Sequence, residues 1–593
     1  MNYENPLIVQ GDRSLLLDVH APLAEECRNA LIPFAELEKS PEHLHTYKLS
    51  PLSLWNAASA NFSADDAIAV LQKYARYDVP QSIIVWIKEI SNRFGKIKLI
   101  NAPNVHFSDD PEKTIIKKTV EGKEVLQKIT EQYLYLVADS LAVFKEIGAN
   151  HSVKKYLTVP IAATAPDAPD YSYILKLTDR GTIKQLLLQT GWPVKDEVPL
   201  CDGESLSIHL RERLSNGKEL IIRDYQKKSA QALIGDKGPG TGFGTIVLPC
   251  GSGKTIVGMT IMDMLKTSTL IITTNISAVH QWIDELLDKT DLNRDQIAEY
   301  SGENKEIKPV TVATYQVLTW RPNKEGPYPH FSLFHKRNWG LIIYDEVHML
   351  PAPVFRVVAE LQAVRRVGLT ATLVREDGCE GYVFSLVGPK RYDVPWKELE
   401  REHWIADAEC IEVRIDLPVS SEIDYAVSTA REKHKIASMN IKKLPIVKEI
   451  IQKCPDDKIL VIGQYVQQLS LIAKELDVPL ITGKTPNSER DKIYADFRNG
   501  RTKVLVVSKV ANFAIDLPDA SVAIQVSGTF GSRQEEAQRL GRILRPKERK
   551  SRFFTLITRN TVEEEFGSNR QKFLAEQGYE YKIVRYNGEL NIE

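Results

Sequence analysis

The stretch "TIVLPCGSGKT", residues 245–255, decides the fold, because in it a short apolar strand runs through a glycine-rich loop into a helix. Gly251 and Gly253 let backbone N–H groups point at an anion, and the helix N-terminus adds its positive end. At the start of that helix Lys254 can reach the β- and γ-phosphates of a nucleotide, and the Thr255 hydroxyl can bind Mg²⁺. The stretch therefore predicts a nucleotide phosphate site.

One position departs from the usual phosphate-loop pattern. That pattern begins with glycine, and Leu248 stands in its place, so the match is limited to the G-x-G-K-T end. The order of strand, loop and helix is intact, which makes a chance turn the weaker explanation. The residues that we predict to surround the phosphates are Pro249, Cys250, Gly251, Ser252, Gly253, Lys254 and Thr255.

Outward from this loop, short apolar runs alternate with helical segments. The runs are "GTIVLP", "STLIIT", "PVTVAT" and "GLIIYDE", then "DKILVIGQY", "VPLITG", "TKVLVVS", "SVAIQVS" and "FFTLIT". Buried runs of this length between helices are typical of parallel sheets covered on both faces. The sequence predicts an α/β protein with two doubly wound lobes, residues 205–395 and 396–593.

The preceding region, residues 1–204, shows a mixed α/β pattern that we divide into two subdomains. Strand-like runs "PLIVQ" and "SLLLDV" precede the helical pattern "SADDAIAVLQKYARY", in which Ser63 is the expected N-cap before first-turn carboxylates. The breaker-rich stretch "PIAATAPDAPDY", residues 160–171, is interpreted as a linker or an exposed loop.

Bulk properties bound the class of protein without deciding it. The chain has 593 residues and a formal net charge of −1, so overall charge argues neither for nor against nucleic acid. Its 6 cysteines are scattered, without metal-site spacing, which suits a reducing compartment. No signal peptide and no apolar run of roughly 18 residues is found. We expect an intracellular, soluble protein without membrane contact.

Two carboxylates end the apolar run "GLIIYDE". Adjacent acids at a buried strand end are unfavourable unless a cation neutralises them. Asp345 fits a Mg²⁺ ligand, and Glu346 fits the group that polarises an attacking water. His348 can connect them to the hydroxyl of Thr370 or Thr372. An isolated Asp-Glu pair is more often a surface feature, but downstream of a phosphate loop the catalytic interpretation is favoured.

Arginines and a glutamine in "EEAQRLGRILRP", residues 535–546, form a second candidate group. Arg542 and Arg545 share one helix face, where guanidinium groups can hold a γ-phosphate, and Gln538 precedes them. A solvated basic helix explains the segment equally well. In the preceding "VVSKVANFAIDLPDA", Asp516 is a candidate for coupling the two lobes, with a helix or turn cap as the alternative.

Two further segments are ambiguous when taken alone. In "IIRDYQKKSAQAL", Gln226 is placed to read an adenine edge with Arg223 or Tyr225 nearby, although a generic amphipathic helix accounts for it nearly as well. In "GLTATLVREDG", the charged run Arg375, Glu376 and Asp377 follows a buried strand, and a solvated loop is the ordinary explanation.

In chain order these segments resemble the motif set of superfamily 2 helicases: "RDYQ", "CGSGKT", "TTNISAVHQW", "DEVH", "TAT" and "QRLGRILR". Within that superfamily the chain is most similar to the XPB family of DNA helicases. This resemblance rests on "LPCGSGKT", "DEVHMLPAPVFR", "LTATLVREDG" and the N-terminal "FAELEKSPEHLHTYKLSPLSLWNAAS", so it covers most of the chain. The length, without extended charged tails, resembles the prokaryotic members.

The resemblance implies two RecA-like lobes that bind ATP and Mg²⁺ between them. It implies catalytic roles for Lys254, Glu346, Gln538, Arg542 and Arg545, nucleotide contacts at Arg223, Gln226, Asp345 and the phosphate loop, and metal binding at Thr255 and Asp345. It also places the Arg-Glu-Asp motif, here Arg375, Glu376 and Asp377, at the DNA fork. A thumb-like element is expected at residues 425–443, where the basic residues are Arg431, Lys433, Lys435, Lys442 and Lys443.

The predicted function is an ATP-dependent DNA helicase that opens duplex DNA, with a role in repair. Two alternatives stay open: a translocase on double-stranded DNA that does not separate strands, and a nucleotide-gated DNA-binding scaffold. The expected partners are forked or junction DNA and a nuclease or other repair factor. We expect a monomer when free, in the cytoplasm of a prokaryote or the nucleus of a eukaryote.

Overall fold

The protein is analysed as a computed structural model. It describes residues 4–39, 43–103, 105, 115–120, 123–128, 133–162, 165–236, 240–249, 251–323, 328–351, 354, 358, 364–371, 380–394, 396–508, 520–528, 539–540, 550–576, 579 and 581–590.

Strands are numbered along the chain. They are β1 (Leu7–Val9), β2 (Ser14–Asp18), β3 (Glu36–Lys39), β4 (Leu44–Lys48), β5 (Ile97–Asn101), β6 (Ile115–Val120), β7 (Lys123–Lys128), β8 (Tyr133–Ala138), β9 (Ser172–Lys176), β10 (Val194–Asp196), β11 (Phe243–Val247), β12 (Thr269–Thr273), β13 (Ile297–Tyr300), β14 (Val310–Thr314), β15 (Leu341–Asp345), β16 (Arg365–Thr370), β17 (Lys390–Asp393), β18 (Ala408–Ile415), β19 (Ile459–Gly463), β20 (Leu480–Ile481), β21 (Val504–Ser508), β22 (Val522–Gln525), β23 (Ser551–Thr558) and β24 (Tyr581–Arg585).

Helices are numbered in the same way. They are α1 (Ala24–Leu31), α2 (Pro51–Ser59), α3 (Ala64–Tyr74), α4 (Gln81–Ser91), α5 (Leu141–Ala149), α6 (His151–Lys154), α7 (Arg180–Gln189), α8 (Asp224–Ile234), α9 (Lys254–Leu265), α10 (Ile276–Lys289), α11 (Tyr315–Thr319), α12 (Glu380–Tyr382), α13 (Trp396–Arg401), α14 (Val419–Val427), α15 (Ala430–Ser438), α16 (Lys443–Lys453), α17 (Val466–Leu476), α18 (Asn487–Arg498) and α19 (Val562–Glu576).

Two parallel sheets of seven strands dominate the fold. The first has the order β13-β14-β12-β15-β16-β11-β17, and the second has the order β20-β21-β19-β22-β23-β18-β24. All described strand pairs in both are parallel. The central strands β11, β12, β14 and β19 are buried at every position, which is why their sequences are continuous apolar runs. The prediction of two doubly wound lobes is confirmed.

The region before the lobes contains separate antiparallel structure. Strands β1 to β4 form an antiparallel sheet in the order β1-β2-β4-β3, and a second sheet has the order β10-β5-β8-β9. Helix α3 begins after Ser63, whose hydroxyl accepts from the Asp66 amide while Asp66 accepts from the Ser63 amide, so the predicted cap is confirmed. The stretch 160–171 lies between α6 and β9 in the sequence, and its interpretation as a linker or an exposed loop stays a prediction.

The N-terminal region contacts both lobes. Its buried apolar cluster includes Phe384 from the first lobe and Ala575 from α19. Polar contacts add to this docking, because the Lys390 amide donates to Asn56 Oδ1 at 3.0 Å and Arg391 Nη1 donates to the Ser59 carbonyl at 3.3 Å. The predicted domain boundaries at residues 204 and 395 stay predictions. Across the described residues, no helix is both long and apolar enough to cross a membrane.

Candidate active site

The predicted phosphate loop lies at the carboxyl end of β11, in the first lobe. The strand continues into Leu248, whose amide donates to the Thr370 carbonyl at 2.9 Å, so the loop is tied to the end of β16. Gly251 has φ +78° and Gly253 has φ +82°, a left-handed conformation that favours glycine at both positions. Gly253 is the N-cap of α9, so Lys254 opens the helix. The predicted strand, loop and helix are confirmed.

Helix α8 holds this loop from behind. Tyr225 Oη and Gln226 Nε2 both donate to the Ser252 carbonyl, at 2.6 and 2.8 Å. The Gln226 side-chain oxygen accepts from the Arg223 amide at 2.9 Å. A Cβ at Gly253 would lie 2.6 Å from Gln226 Nε2, so this position requires glycine. The Gln226 amide nitrogen therefore supports the loop and its oxygen caps the start of α8, and adenine recognition by this residue stays a prediction.

Arg223, the other predicted adenine neighbour, is stacked beside this support. Its guanidinium lies over the Trp404 ring, 4.7 Å from the centroid, and Nη1 donates to the Trp404 carbonyl at 3.2 Å. The same atom also donates to Tyr225 Oη at 3.0 Å. Because Trp404 lies in the segment that leads into the second lobe, Arg223 connects the phosphate loop's support to that segment.

Asp345 ends β15 and is surrounded by donors. Its Oδ2 accepts from Trp282 Nε1 at 2.9 Å and from the Thr273 hydroxyl at 3.4 Å, and its Oδ1 accepts from the Glu346 amide at 3.0 Å. Burial raises the pKa of the Asp345 carboxyl to about 6, and the adjacent Glu346 charge adds to the rise, while the Trp282 hydrogen bond opposes it. A cation at this carboxylate would favour its ionised form.

Glu346 adopts a strained backbone conformation beside the phosphate loop. Its φ is +49°, in the left-handed region that few residues other than glycine adopt, and such strain is concentrated at functional sites. Oε1 lies 3.8 Å from Lys254 Nζ, and Oε2 lies 3.4 Å from His348 Nδ1. Oε2 is buried and has no hydrogen-bond partner among the described residues. A buried acceptor in this state is suited to take a hydrogen bond from a reacting water.

His348 links the carboxylate pair to the next strand. Its Nδ1 lies 2.7 Å from the Thr370 hydroxyl, at the end of β16, and both residues are buried. The predicted connection between His348 and Thr370 is confirmed. A change at Glu346 therefore has a short polar route to the segment that follows β16.

These residues fit ATP and Mg²⁺. The loop offers glycines in left-handed conformations and a lysine at a helix N-terminus, which suit phosphate oxygens. Thr255 and Asp345 supply the oxygen ligands that Mg²⁺ prefers. The raised pKa of Asp345 and the buried Glu346 oxygen both suit a site that binds a cation and a water.

Comparison with known proteins decides the family. The chain is 46% identical over 585 residues to a protein named "DNA 3'-5' helicase XPB" from Kineococcus radiotolerans, covering 98% of this chain and 96% of the other. A protein of the same name from Mycobacterium tuberculosis is 46% identical over 582 residues, covering 98% of each chain. This chain belongs to the XPB family of DNA helicases. The predicted prokaryotic type agrees with these bacterial relatives.

Other comparisons agree with membership of the XPB family. The family model described as "ERCC3/RAD25/XPB C-terminal helicase" matches residues 399–592. Models described as "Helicase conserved C-terminal domain" and "Type III restriction enzyme, res subunit" match residues 7–162 and 219–375. The relative from Saccharomyces cerevisiae, "General transcription and DNA repair factor IIH helicase/translocase subunit XPB/SSL2", is 32% identical over 98% of this chain and 72% of its own length.

Among solved structures, similarity extends over part of the chain. Dbp5 of S. cerevisiae bound to RNA and ADP BeF3 matches with a TM-score of 0.44 and 15% identity, covering 61% of this chain and 89% of that one. The Hef helicase domain of Pyrococcus furiosus matches with a TM-score of 0.39 and 17% identity, covering 58% and 97%.

Several predicted XPB-family site residues lie outside the described residues. They are Cys250, Thr372, Arg375, Glu376, Asp377, Asp516, Gln538, Arg542 and Arg545. In the segment "EEAQRLGRILRP" the structure describes Arg539 and Leu540, which are both buried in the second lobe. Arg539 donates to the side-chain oxygen of Gln525, at the end of β22.

In the predicted thumb-like element, residues 425–443, one of the five basic residues differs from the prediction. Arg431, Lys435 and Lys442 are exposed and Lys433 is half-buried, as a phosphate-contacting cluster requires. Lys443 is fully buried, and its ammonium lies 2.9 Å from Glu563 Oε2 and donates to the Val526 carbonyl. Including Lys443 in the basic cluster was therefore wrong, because it forms a structural ion pair at the start of α16.

Sequence reasoning missed the residues that position Asp345. Trp282 on α10 and Thr273 at the end of β12 donate to its carboxylate, and the Tyr315 hydroxyl donates to its carbonyl at 3.0 Å. Trp282 lies within the quoted motif "TTNISAVHQW", where its indole N–H is a donor that needs an acceptor when buried. That requirement was a usable signal, although it does not identify Asp345 as the acceptor.

Proposed function

We propose that this XPB-family helicase hydrolyses ATP at the carboxyl edge of its first sheet and uses the cycle to open duplex DNA. The observation that carries the proposal is the convergence of Lys254, Asp345 and Glu346. Lys254 Nζ lies 3.8 Å from Glu346 Oε1, and the other Glu346 oxygen is buried without a hydrogen-bond partner among the described residues. Ligands of open α/β sheets bind outside the carboxyl ends of the strands, which is where these residues lie.

In the proposed mechanism the chain first binds the phosphates. Backbone amides of the loop from Gly251 to Thr255 and the Lys254 ammonium neutralise phosphate charge. Thr255 and Asp345 would hold Mg²⁺, which would neutralise further charge on the phosphates. Trp282 and Thr273 hold the Asp345 carboxylate in one orientation, and the Glu346 amide fixes its other oxygen.

Glu346 then acts on the attacking water. Its orphaned Oε2 accepts a hydrogen bond from the water and orients it toward the γ-phosphate, while Oε1 faces Lys254. His348 Nδ1 contacts the Thr370 hydroxyl at 2.7 Å and lies 3.4 Å from Glu346 Oε2, so a change at Glu346 can reach the end of β16. In this proposal Arg542 and Arg545, with Gln538, approach the γ-phosphate from the second lobe and stabilise its developing charge.

The names of the relatives support DNA as the substrate and a direction of movement along it. The bacterial relatives are named 3'-5' DNA helicases, and the yeast relative's name includes DNA repair, so we propose 3'-to-5' movement on DNA in a repair process. Stacking opposes opening by about 1.4 kcal/mol per base-pair step, so repeated ATP turnover must drive the reaction. Arg375, Glu376 and Asp377 would act at the fork, and a nuclease or repair factor would be the protein partner.

Two paired assays test this function. ATP turnover is measured with and without single-stranded and forked DNA, and strand displacement is measured on forks that carry either a 3' or a 5' loading strand. We expect DNA-stimulated turnover and displacement that depends on the 3' loading strand. Lys254→Ala should abolish both activities. ATP turnover without any strand displacement on either fork would contradict the helicase proposal.

A second candidate is translocation on duplex DNA without strand separation. The name of the yeast relative includes "helicase/translocase subunit", which favours translocation as the second candidate activity. Displacement of a triplex-forming strand from intact duplex, without displacement on a fork, would identify this activity. A nucleotide-gated scaffold is disfavoured, because Lys254, Asp345 and Glu346 are intact and converge.

A further inference from the structure

A cavity of about 840 Å³ lies between the N-terminal region and the first lobe, away from the phosphate loop. Its walls come from the end of α4 and from β5, α7 and β10 on one side, and from Phe243, Phe384 and Arg391 on the other. This volume falls within the range of small-ligand sites, roughly 300–1,000 Å³. The cavity therefore has room for a ligand that contacts two parts of the molecule.

The described residues that line this cavity carry an excess of positive charge. The acidic ones are Asp139 and Asp196. The basic ones are Lys96, Lys98, Lys184, Lys195 and Arg391. The same wall contributes hydroxyl and amide groups, including Asn61, Ser91 and Asn92. An anion with hydrogen-bond acceptors is the ligand class that this lining favours.

Among the described residues, the hydrogen-bond acceptors of Arg391 are backbone carbonyls. Its guanidinium donates to the carbonyls of Phe243, Ser59 and Gly240 at 3.0, 3.3 and 2.6 Å. No carboxylate of the described residues forms an ion pair with it, and burial lowers the pKa of Arg391 to about 10. A buried cation without an anion is unfavourable, so this wall gains from an anionic ligand.

Asp196 does not supply the missing charge, because it is already shared. Arg180 donates to it with two N–H groups at 3.0 and 2.9 Å, and Lys184 Nζ donates at 2.9 Å. Arg180 Nη1 is buried without a hydrogen-bond partner among the described residues. Burial lowers the pKa of Lys184 to about 7 despite its contact with Asp196. Because the Arg180 guanidinium already balances Asp196, this carboxylate does not neutralise the other cations of the wall.

We propose that this cavity binds a phosphoryl group, carried either by a free nucleotide or by a DNA backbone. A phosphoryl group with two negative charges matches the excess of cations better than a single carboxylate does. Lys98 and Lys195 lie at the rim with 44% of each side chain exposed, and both ammonium groups share one carboxylate oxygen, Glu197 Oε1, at 3.7 and 2.8 Å, so one carboxylate faces two cations there. The ligand would bridge the N-terminal region and Phe243, the first residue of the strand that leads into the phosphate loop.

The test measures binding of radiolabelled inorganic pyrophosphate to the full chain by equilibrium dialysis. The Lys254→Ala substitution is present throughout, so that the phosphate loop contributes little. The test variant adds Lys98→Gln and Lys195→Gln, which remove charge from partly exposed side chains. The matched control adds Lys154→Gln and Lys155→Gln, two exposed lysines that do not line the cavity and change the net charge equally.

We expect the test variant to lose at least about tenfold in pyrophosphate affinity while the control keeps it. Displacement of the bound pyrophosphate by a single-stranded oligonucleotide would assign the phosphoryl group to DNA, and displacement by ATP alone would assign it to a nucleotide. Equal affinities of the test variant and the control would overturn the proposal. Absence of pyrophosphate binding in the Lys254→Ala chain would overturn it too.

Discussion

At the scale of single residues, Glu346 combines three features that a structural role does not need together. It has a left-handed backbone, a carboxylate oxygen facing Lys254 and a second oxygen that is buried without a described hydrogen-bond partner. A β-turn or cap would favour Gly or Asn at such a φ, so the glutamate is retained against its backbone preference. This conflict between local preference and residue type is the strongest mark of chemistry in the first lobe.

Glu346→Gln should keep ATP binding and lose turnover by about 10²–10⁴-fold, because the amide keeps the shape but cannot polarise water as the carboxylate does. The measurement pairs equilibrium binding of ATP with steady-state hydrolysis in the presence of DNA. Glu306→Gln, at an exposed site of the same lobe, serves as the control. Hydrolysis by the Glu346 variant at the native rate would assign the water to another group.

Trp282→Phe should raise the Mg²⁺ concentration for half-maximal hydrolysis about tenfold, because it removes the 2.9 Å donor to Asp345. That hydrogen bond lowers the pKa of Asp345, which burial has raised to about 6, so its loss raises the pKa further. The carboxylate is then protonated over a wider acidic range, and the defect should be larger near pH 6 than at mildly alkaline pH. Magnesium titrations of turnover at both pH values measure this.

Thr273→Val is the matched control for the tryptophan variant. It removes a longer contact, 3.4 Å, to the same Asp345 oxygen, so its effect should be smaller in the same direction. A tryptophan defect of equal size at both pH values would point to lost packing rather than to the hydrogen bond.

Sequence reasoning at this scale predicted which residues lie at one edge of the sheet, whose catalytic roles stay predictions, but it did not predict the side chains that pack around them. Lys254, Thr255, Asp345 and Glu346 follow apolar strands, and parallel strands bring their carboxyl ends to one edge. The donor Trp282 lies on α10, and its contact with Asp345 depends on how that helix packs on the sheet. No local pattern encodes that distance.

At the scale of elements, α8 acts as a brace for the phosphate loop. Gln226→Ala should raise the ATP concentration for half-maximal turnover about tenfold, because the Ser252 carbonyl and the Arg223 amide each lose a partner. Gln231→Ala, exposed on the same helix, should change little. Nucleotide titrations of DNA-stimulated hydrolysis distinguish the two, and an unchanged Gln226 variant would mean that Tyr225 suffices as the brace.

Strands were predictable where their sequences are continuous apolar runs. The sequence segments that form β11, β12, β14, β15 and β19 are continuous apolar runs, because both faces of each strand are covered. Sequence analysis did not predict β13, β17, β18 and β24, whose sequences "IAEY", "KRYD", "AECIEVRI" and "YKIVR" mix charged and apolar residues. Three of these lie at sheet edges, where one side is open and a polar residue is tolerated.

At the scale of the whole molecule, we expect changes at the ATP site to reach the DNA through residues 375–377, which follow Thr370 in the sequence. Replacing Arg375, Glu376 and Asp377 with alanine should spare DNA-stimulated hydrolysis and reduce strand displacement at least about tenfold. One arginine is a small part of a long phosphate footprint, so binding to single-stranded DNA should change little. Both activities are measured on one sample with forked DNA at saturation.

A triple alanine at Glu303, Asn304 and Lys305, an exposed stretch of the first lobe, is the control for that variant. Normal unwinding by the variant at residues 375–377 would favour the alternative interpretation of those residues as a solvated loop. Equal loss of hydrolysis and unwinding would place them in support of the nucleotide site.

The arrangement of the large units was the least predictable level. The two lobes followed from repeated strand patterns, but the docking of the N-terminal region on β17 through Asn56 and Ser59 depends on single polar contacts between distant segments. Residues 160–171 show the same limit, because prolines and alanines are found in linkers and in surface loops alike.

One buried apolar cluster spans both lobes, with Ile246 of β11 and Leu460 of β19 among its members. Motion that parts the two sheets would expose some of this surface to water, and hydration of apolar groups raises the heat capacity. ATP binding that draws the lobes together should therefore show a negative heat-capacity change beyond that of its phosphate contacts. Calorimetric titration with a non-hydrolysable ATP analogue at several temperatures measures it, and a value near zero would mean that the cluster moves as one unit. If the heat-capacity change is negative, the enthalpy of lobe closure depends strongly on temperature, while its free energy stays nearly constant.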